Sequence, residues 1–319
     1  MMDCTDRHDR FFLRLISKNV MLYSEMVATK SALHGDRKKI LGFREEEKPL
    51  ALQIGGSDKS DLAEVSKIAE DLGYDEINLN LGCPSKKVQK NSFGACLMKE
   101  PDLVAECINA MTKSCKIPVT AKTRIGFDNI EEFEYLNNFV NKINTAGCKT
   151  IILHARKAIL KGLTPKQNLS IPKLNYEMVY KIKKENPDLE IIINGGITKI
   201  DEIKSHLLKC DGVMIGRAIY QNPYFLTDIE KEIFNSEDIL TREEIAKKIL
   251  EYLEEEVKQG TKVNHVMRHT VGLYHGQPGS KDWKRYLSDN MMARDSDFQK
   301  AKHIMTIVQN NEKNKNVVL

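Results

Sequence analysis

The stretch Glu76–Lys99, EINLNLGCPSKKVQKNSFGACLMK, decides the fold of this chain. It opens with an alternation of apolar and polar residues, Ile77-Asn78-Leu79-Asn80-Leu81, which predicts a β-strand. Gly82-Cys83-Pro84 then ends the strand and puts a thiol at its carboxyl-terminal tip. A loop rich in lysine follows. Many α/β-barrel enzymes build a catalytic edge in this order, with a strand, a reactive side chain and a basic loop.

Outward from this strand, one unit recurs between Met21 and Arg217: a short apolar strand, a turn, an amphipathic helix, and a Gly before the next strand. Strands rich in Val, Ile and Leu that alternate with helices predict a parallel sheet. A doubly wound open sheet is the alternative, but no GxGxxG turn occurs, so we expect an α/β fold of the TIM-barrel type, with eight strands. The seven strands that the pattern predicts are 21–26, 50–54, 77–81, 118–123, 150–155, 190–194 and 212–216.

The two ends of the chain depart from this repeat. The eighth strand is expected to precede Met1, since Met1-Met2-Asp3 is typical of the tip of a strand, and Asp6 to Ser17 predicts the first helix. After Arg217 only helices are predicted, and Thr241 begins one of them with a capping box. We therefore predict a barrel domain over residues 1–235 and a helical domain over 236–319, with a frayed tail at 310–319.

Composition excludes several classes of protein. Hydrophobic residues make up 41% of the chain, and no run approaches the roughly 20 apolar residues of a membrane span. No signal peptide is recognisable, so a cytoplasmic location without membrane attachment is expected. The seven cysteines include no CxxC pair, which argues against a disulfide framework and against a structural zinc site. A net charge of +4 permits nucleic-acid binding without requiring it.

Cys83 is the first candidate for chemistry. A lone cysteine is more often a small buried hydrophobe, but its place at a strand tip favours a function. The ordinary thiol pKa near 8.5 allows either a proton donor or a nucleophile, and the residues alone do not decide between them. Other polar side chains end neighbouring predicted strands, and each of them alone has a purely structural explanation; they are Gln53, Lys122, Arg124, His154 and Arg156.

Two further groups of residues suggest ligands. Asn194-Gly195-Gly196 and Gly216-Arg217 end the last two strands, where exposed backbone N–H groups predict a phosphorylated ligand. In the helical domain, several Lys and Arg residues are interleaved with Trp283 and Tyr286. A solvated helix face and a surface for RNA phosphates are comparably good interpretations of that segment.

A series of segments resembles, in order along nearly the whole chain, the tRNA-dihydrouridine synthases, and the last segment points to their subfamily A. The resemblance implies an FMN-bound barrel followed by a helical tRNA-binding domain. It implies that NADPH reduces the flavin, which then passes a hydride to a uridine of the tRNA D-loop, at positions 20 and 20a. The segments are MMDCTDRH, ALQIGGSD, EINLNLGCPS, FGACLM, AKTRIG, HARKA, INGGI, GVMIGRAIYQNP and GLYHGQPGSKDWKRYLS.

The resemblance also implies roles for individual residues. Cys83 would protonate C5 of the uracil while the reduced flavin delivers a hydride to C6. Asn80 would touch the substrate nucleotide, and Lys166, Lys281 and Lys284 would contact the tRNA. The residues implied to bind FMN are Met1, Met2, Gln53, Lys122, His154, Asn194, Gly195, Gly196, Gly216 and Arg217.

The sequence departs from the family pattern in three places. Two alternative functions also stay open. The family's first strand and the Pro before the Met pair are absent, Cys4 replaces a common Trp, and Leu169 replaces an Arg that contacts tRNA. The first alternative function is reduction of a free pyrimidine-like small molecule by a flavin barrel. The second is a tRNA-binding protein without catalysis.

Overall fold

The computed structural model of the chain describes residues 1–291. The predicted tail at 310–319 and the end of the predicted helical domain lie outside this part of the chain. Within it, no helix is both long enough and apolar enough to cross a membrane.

A single parallel sheet forms the centre of the fold. β1 and β2 both pair with β3, and from β3 onward each strand pairs in parallel with the next one in sequence as far as β8. This order is that of a TIM barrel, the fold class predicted above. The strands are β1 (Leu22–Tyr23), β2 (Val27–Ala28), β3 (Leu50–Gly55), β4 (Glu76–Leu81), β5 (Val119–Arg124), β6 (Thr150–His154), β7 (Glu190–Asn194) and β8 (Gly212–Met214).

The predicted strand 21–26 is instead the two short strands β1 and β2. The interruption begins at Ser24, whose backbone N–H still donates to Ala51 O at 2.9 Å. The next ladder position is taken by a side chain, because the Gln53 N–H donates to Ser24 Oγ at 2.9 Å. The hydroxyl in turn donates to the carbonyl of Glu25 at 2.8 Å. A side-chain hydroxyl that competes with the backbone in this way breaks a strand, and residue type alone did not reveal it.

Helices connect the strands, and their ends follow the capping residues. Asp58 accepts the backbone N–H groups of Ser60 and Asp61, which starts α4, and the buried stripe of α4 includes Leu62. Gly73 follows α4 with a φ of +87°, a left-handed conformation that favours glycine. The helices of this part are α1 (Arg7–Ile16), α2 (Thr29–His34), α3 (Arg37–Leu41), α4 (Lys59–Asp71), α5 (Lys86–Lys90), α6 (Pro101–Ser114), α7 (Phe133–Thr145), α8 (Tyr176–Glu185) and α9 (Ile200–Leu207).

The described part of the chain after Gly216 contains helices and no strand. Thr241 and Glu244 form the predicted capping box at the start of a long helix. The segment between Gly216 and Ile233 forms two helices, because Pro223 lacks an N–H and cannot continue the first of them. The helices are α10 (Arg217–Gln221), α11 (Phe225–Glu232), α12 (Arg242–Lys258), α13 (Val263–Met267) and α14 (Ser280–Tyr286).

The chain divides into two compact units, and the division differs from the predicted boundary at residue 235. The strand unit comprises Met1–Met2, Met21–Phe43 and Lys48–Ile215. The helical unit comprises Asp3–Val20, Arg44–Glu47 and the chain from Gly216 onward. The first helix therefore groups with the helical unit, because its polar side chains bond there: His8 Nδ1 lies 2.7 Å from Tyr252 OH. Pairing between residues so distant in sequence cannot be read from local pattern.

Candidate active site at the carboxyl ends of the strands

The turn that carries Cys83 is held by the side chain of Asn80. Asn80 Oδ1 accepts the backbone N–H groups of Gly82 at 3.1 Å and of Cys83 at 3.0 Å. An Asn side chain that bonds the backbone two and three residues further on stabilises a tight turn. The amide nitrogen of Asn80 points the other way and donates to Gln53 Oε1 at 2.8 Å. The position of Cys83, just after β4, is therefore fixed by a side chain of β4 itself.

The segment after Cys83 folds back onto it. The Ala95 N–H donates to the carbonyl of Cys83 at 2.9 Å. A Cβ on Gly94 would lie 2.6 Å from the same carbonyl oxygen, and Gly94 has a φ of +78°, so only glycine fits there. Part of the predicted basic loop is the short helix α5, whose Gln89 amide donates to the carbonyls of Pro84 at 2.8 Å and Leu160 at 3.0 Å.

The environment of Cys83 keeps its thiol protonated at neutral pH. Burial raises the pKa of the Cys83 thiol, and the Ser85 amide with the charges of Arg124 and Lys122 offsets this only in part. Sequence reasoning left a proton donor and a nucleophile open. A raised pKa favours the donor, because a nucleophilic cysteine needs its thiolate.

Lys122 provides a half-buried cation near the carboxyl end of β5. A Lys in an otherwise apolar strand needs a polar partner, because an isolated buried ammonium group is costly. Lys122 Nζ donates to Asn194 Oδ1 at 3.1 Å, and within the described residues no carboxylate forms an ion pair with it. Burial lowers the pKa of Lys122 to about 8, and the neighbouring charge of Arg124 acts in the same direction. A cation in this position is left to interact with a negatively charged ligand.

Arg124 ties together the loops around this edge of the sheet. Its Nε donates to Gly82 O at 3.2 Å, next to Cys83, and its Nη1 donates to the carbonyls of Lys157 at 3.2 Å and Asn168 at 3.0 Å. The side chain is buried, and burial lowers its pKa to about 10. Because the guanidinium reaches the backbone of the Cys83 turn and two carbonyls of the loop after β6, it ties that loop to the turn.

His154 and Asn194 occupy neighbouring strand ends, as predicted. Arg124 pairs in register with His154, and His154 pairs with Asn194. Asn194 Nδ2 donates to the carbonyl of Met214 at 2.8 Å. A Cβ on Gly195 would lie 2.8 Å from the His154 ring, and the φ of Gly195 is +124°. The glycine therefore allows the backbone to approach the imidazole closely.

The structure brings together only some of the residues that sequence reasoning selected. Cys83, Asn80, Gln53, Lys122, His154, Asn194 and Gly195 share the carboxyl ends of β3 to β7 within the strand unit. Met1 and Met2, also in this unit, are exposed, as are Gly196 and Lys166. Gly216, Arg217, Lys281 and Lys284 belong to the helical unit, and their roles stay predictions.

Sequence reasoning missed two residues below the site, Asn78 and Thr120. Asn78 Nδ2 donates to Thr120 Oγ1 at 2.7 Å, and Asn78 Oδ1 accepts from Gln53 Nε2 at 2.9 Å. The available signal was the spacing of Asn78 and Asn80, two polar residues with period two inside an otherwise apolar strand. That spacing puts both amides on the same face of β4.

Comparison with known proteins identifies the family. The profile described as dihydrouridine synthase (Dus) matches residues 1–311. The chain belongs to the dihydrouridine synthase family. A family member from Synechocystis sp., named tRNA-dihydrouridine(20/20a) synthase, is 50% identical over 293 residues, which cover 92% of this chain and 88% of that protein. The protein of the same name from Escherichia coli (strain K12) is 48% identical over 310 residues, covering 97% of this chain and 90% of the relative.

Solved structures of low sequence identity share the fold. A 2-naphthoyl-CoA reductase complex superimposes with a TM-score of 0.53 at 11% identity, over 71% of this chain and 47% of that one. Morphinone reductase superimposes with a TM-score of 0.51 at 9% identity, over 69% of this chain and 79% of that one. These similarities, together with the strand order and the family, confirm the predicted TIM-barrel fold class.

Proposed function

We propose that this chain is a tRNA-dihydrouridine synthase of subfamily A. It reduces the C5–C6 double bond of D-loop uridines at positions 20 and 20a, the positions that appear in the names of its relatives, with FMN as cofactor and NADPH as reductant. The family of the chain supports the reaction. The observation that carries the chemistry is the position of the Cys83 thiol at the tip of β4, where Asn80 holds its turn and burial raises the pKa of the thiol.

The side chains at the strand ends suit a flavin. Gln53 offers an amide, and Lys122 offers an ammonium group that no carboxylate of the described residues neutralises. A reduced flavin carries negative charge on one edge of its ring, and a lysine there stabilises it. We assign Gln53, Lys122 and His154 to the ring of FMN. Asn194, Gly195, Gly196, Gly216 and Arg217 are assigned to its phosphate, and Met1 and Met2 to a further contact.

The thiol of Cys83 donates the proton of the reaction. When FMN is bound it supplies the hydride for C6 of the uracil, and Cys83 Sγ gives its proton to C5, so that the double bond gains two hydrogens. The thiolate left behind accepts a hydrogen bond from the Ser85 amide and interacts favourably with the charges of Arg124 and Lys122. Asn80 keeps the sulfur in place through the two N–H groups of the turn and orients the base.

A tRNA substrate requires basic residues that contact its phosphates. A uridine in a folded tRNA must leave its stack to reach an enclosed site. Lys86, Lys87 and Lys90 follow Cys83 directly and are exposed, as Lys166 is. Lys281 and Lys284 are exposed on α14, whose buried side carries Trp283. We assign Lys166, Lys281 and Lys284 to contacts with tRNA phosphates, which position the RNA without reading its sequence.

The cellular setting follows from the substrate and the thiols. All seven cysteines are free. Thiols stay reduced in the cytoplasm. We therefore place the reaction there, with the tRNA as macromolecular partner.

The test is a reconstitution with nucleoside mass spectrometry. Purified protein is incubated with FMN, NADPH and a tRNA transcript that lacks dihydrouridine, and a transcript with cytidine at the target positions serves as control. We expect dihydrouridine in the first transcript and its absence in the second. Reduction of free uridine with no reaction on tRNA would overturn the proposal and favour a small-molecule reductase. Binding of tRNA by a protein that takes up no flavin would favour a non-catalytic role.

A further inference from the structure

A continuous series of hydrogen bonds descends from the Cys83 turn into the interior of the strands. The backbone N–H groups of Gly82 and Cys83 donate to Asn80 Oδ1 at 3.1 and 3.0 Å. Asn80 Nδ2 donates to Gln53 Oε1 at 2.8 Å. Gln53 Nε2 donates to Asn78 Oδ1 at 2.9 Å. Each amide thus accepts from the residue above it and donates to the residue below it.

The series continues to a carboxylate at the amino end of β4. Asn78 Nδ2 donates to Thr120 Oγ1 at 2.7 Å, and Thr120 Oγ1 donates to Glu76 Oε1 at 2.6 Å. Tyr23 OH donates to the same carboxylate oxygen at 2.8 Å. Strand register produces this contact, because Gln53 pairs with Asn78 across β3 and β4, and Asn78 pairs with Thr120 across β4 and β5.

The direction of donation is set at both ends of the series. Backbone N–H groups can only donate, so the oxygen of Asn80 must face the Cys83 turn and its nitrogen must face Gln53. At the lower end the single proton of the Thr120 hydroxyl is donated to Glu76 Oε1, so the same hydroxyl accepts from Asn78 Nδ2. Reversing any one of the three amides would place two donors or two acceptors against each other. Hydrogen bonds that run in one direction polarise and strengthen one another.

Burial makes the lower half of the series sensitive to change. Asn78 is 0% exposed and Thr120 is 1% exposed, so neither side chain has solvent as an alternative partner. Loss of the Thr120 hydroxyl would leave the amide nitrogen of Asn78 buried without an acceptor. An unsatisfied buried donor is costly enough to make its side chain turn or shift. Such a shift of Asn78 would remove the acceptor that holds Gln53 Nε2.

We propose that Asn78 and Thr120 are positioning residues for the reaction of this site. They fix the amide of Gln53, and through Gln53 and Asn80 the turn that carries Cys83, from a buried position beneath these residues. This inference rests on the proposed function for the identity of the reaction. The claim that Asn78 and Thr120 fix the position of the Gln53 amide can be measured through any ligand that Gln53 contacts.

The test compares three variants of buried threonines on β5 in the full chain loaded with FMN. Thr120→Val removes the hydroxyl and keeps the shape, and Thr120→Ser keeps the hydroxyl. Thr123→Val is the matched control, because Thr123 is equally buried and its hydroxyl makes only long contacts, 3.5 Å to Leu81 O and 3.4 Å to Arg124 O. The readouts are kcat per bound FMN, KM for tRNA, the visible spectrum and midpoint potential of the flavin, and the thermal midpoint.

We expect Thr120→Val to lower kcat about tenfold, the loss expected for one buried hydrogen bond, with KM for tRNA unchanged because phosphate contacts dominate RNA affinity. The flavin spectrum should shift in Thr120→Val and recover in Thr120→Ser, while Thr123→Val stays like the unaltered chain. A purely structural role would lower the thermal midpoint of Thr120→Val without changing the flavin spectrum or kcat per bound FMN, and this result would overturn the inference. Equal impairment of Thr120→Ser would overturn it too.

Two further outcomes keep the inference separate from the proposed function. If the unaltered chain forms no dihydrouridine, the proposed reaction fails, and the flavin spectra of Thr120→Val and Thr123→Val still decide whether the series positions Gln53. If Thr120→Val does not fold, Asn78→Leu replaces it, since this variant removes the amide at similar volume. It should shift the flavin spectrum in the same way, and an unchanged spectrum would contradict the proposal.

Discussion

In the strand unit the buried polar side chains beneath Cys83 are mostly neutral amides and hydroxyls, as Gln53, Asn78 and Thr120 illustrate. In the helical unit, by contrast, the buried polar side chains are mostly charged and paired. Arg10 Nε lies 2.7 Å from Glu47 Oε2, and both side chains are buried. Arg7 and Arg44 both reach the buried carboxylate of Glu256, at 2.8 and 3.1 Å.

The helical unit compensates its buried charges within itself. Asp6 caps α1, pairs with Arg268, and lies 3.0 Å from His269 Nε2. Burial alone would raise the pKa of Asp6, but His269 and the Asp9 amide outweigh burial, so the pKa lies well below its ordinary value. Burial and the charge of Asp6 raise the pKa of Asp9 instead. Such a network binds segments of the chain together and has no need of a ligand.

In the strand unit, Lys122 has no anionic partner among the described residues. Lys122 has an amide oxygen as its partner, and its pKa is lowered by burial. The comparison shows how a ligand site differs from a structural polar cluster when both are buried. In the cluster a buried charge faces an opposite charge, as Arg10 faces Glu47. In the site the Lys122 cation faces an amide oxygen, and neutral groups fix the geometry around it.

The largest expected effect comes from removing the thiol. Cys83→Ala should lower the rate of dihydrouridine formation roughly 10²- to 10⁴-fold, because a positioned general acid contributes about that much. FMN should stay bound, since the thiol is assigned to the proton and not to the cofactor. The rate is measured by nucleoside mass spectrometry and FMN content by absorbance.

Cys96→Ala is the matched control for this prediction. Its thiol lies in the same segment and donates to the carbonyl of Phe93 at 3.1 Å, and it has no assigned role. The control should retain most of the activity. Equal activity of Cys83→Ala and Cys96→Ala would show that Cys83 is not the proton donor. The strand unit would then lack the reactive group that distinguishes it from the helical unit.

The second prediction addresses the paired charges of the helical unit. Glu47→Ala leaves Arg10 buried without its partner, and breaking a buried ion pair by removing one member costs about 3–5 kcal/mol. We expect a clear drop in the thermal midpoint of unfolding, which circular dichroism measures. Asp238→Ala is the control, because its pair with Lys18 is exposed and worth only about 0–1 kcal/mol. Similar midpoints for both variants would contradict a structural role of the buried pair.

The third prediction tests the unpaired cation. Lys122→Met should weaken FMN binding roughly ten- to a hundredfold, the usual contribution of a hydrogen bond from a charged group. In the unaltered chain Lys122 is cationic below its pKa of about 8, so the affinity for FMN should fall as the pH rises through that value. Flavin fluorescence titrations between about pH 7 and 9.5 measure both effects.

The variant supplies the internal control for the pH dependence. Lys122→Met has no proton to lose at this position, so its weaker affinity should not change in the same pH range. A pH dependence of equal size in both proteins would show that another group titrates. It would also show that the cation of the strand unit is not the partner of the flavin.

The smallest effect is expected on the surface of the helical unit. Lys281→Ala and Lys284→Ala should each weaken tRNA binding for all tRNAs alike and reduce the slope of the logarithm of affinity against the logarithm of salt by about one. Filter binding at several salt concentrations measures this slope. Lys258→Ala is the control, since that exposed lysine pairs with Glu254. Equal slopes in all three variants would mean that the two lysines do not contact phosphates.

Much of the fold follows from local pattern, because local pattern reports directly on burial and on capping. Alternation in EINLNL predicts β4, and the helix that Asp6 begins ends at Ser17, where it was predicted to end. Thr241 with Glu244 marks the start of α12. The interruption of the strand at Ser24 was not predictable in this way, because it depends on a hydrogen bond from Gln53, which lies far away in sequence.

The sequence by itself determined the parallel α/β repeat, the place of Cys83 at a strand tip, and the set of polar residues at the neighbouring strand ends. The spacing of hydrophobic residues and the residues that favour turns are local properties of the sequence, so they are sufficient to predict these features. Only the tertiary structure decided that the thiol keeps its proton, that Lys122 meets an amide and no carboxylate among the described residues, and that Asn78 and Thr120 lie beneath Gln53. These properties arise from register and burial across strands, and the bonds that create them join residues 25 to 72 positions apart.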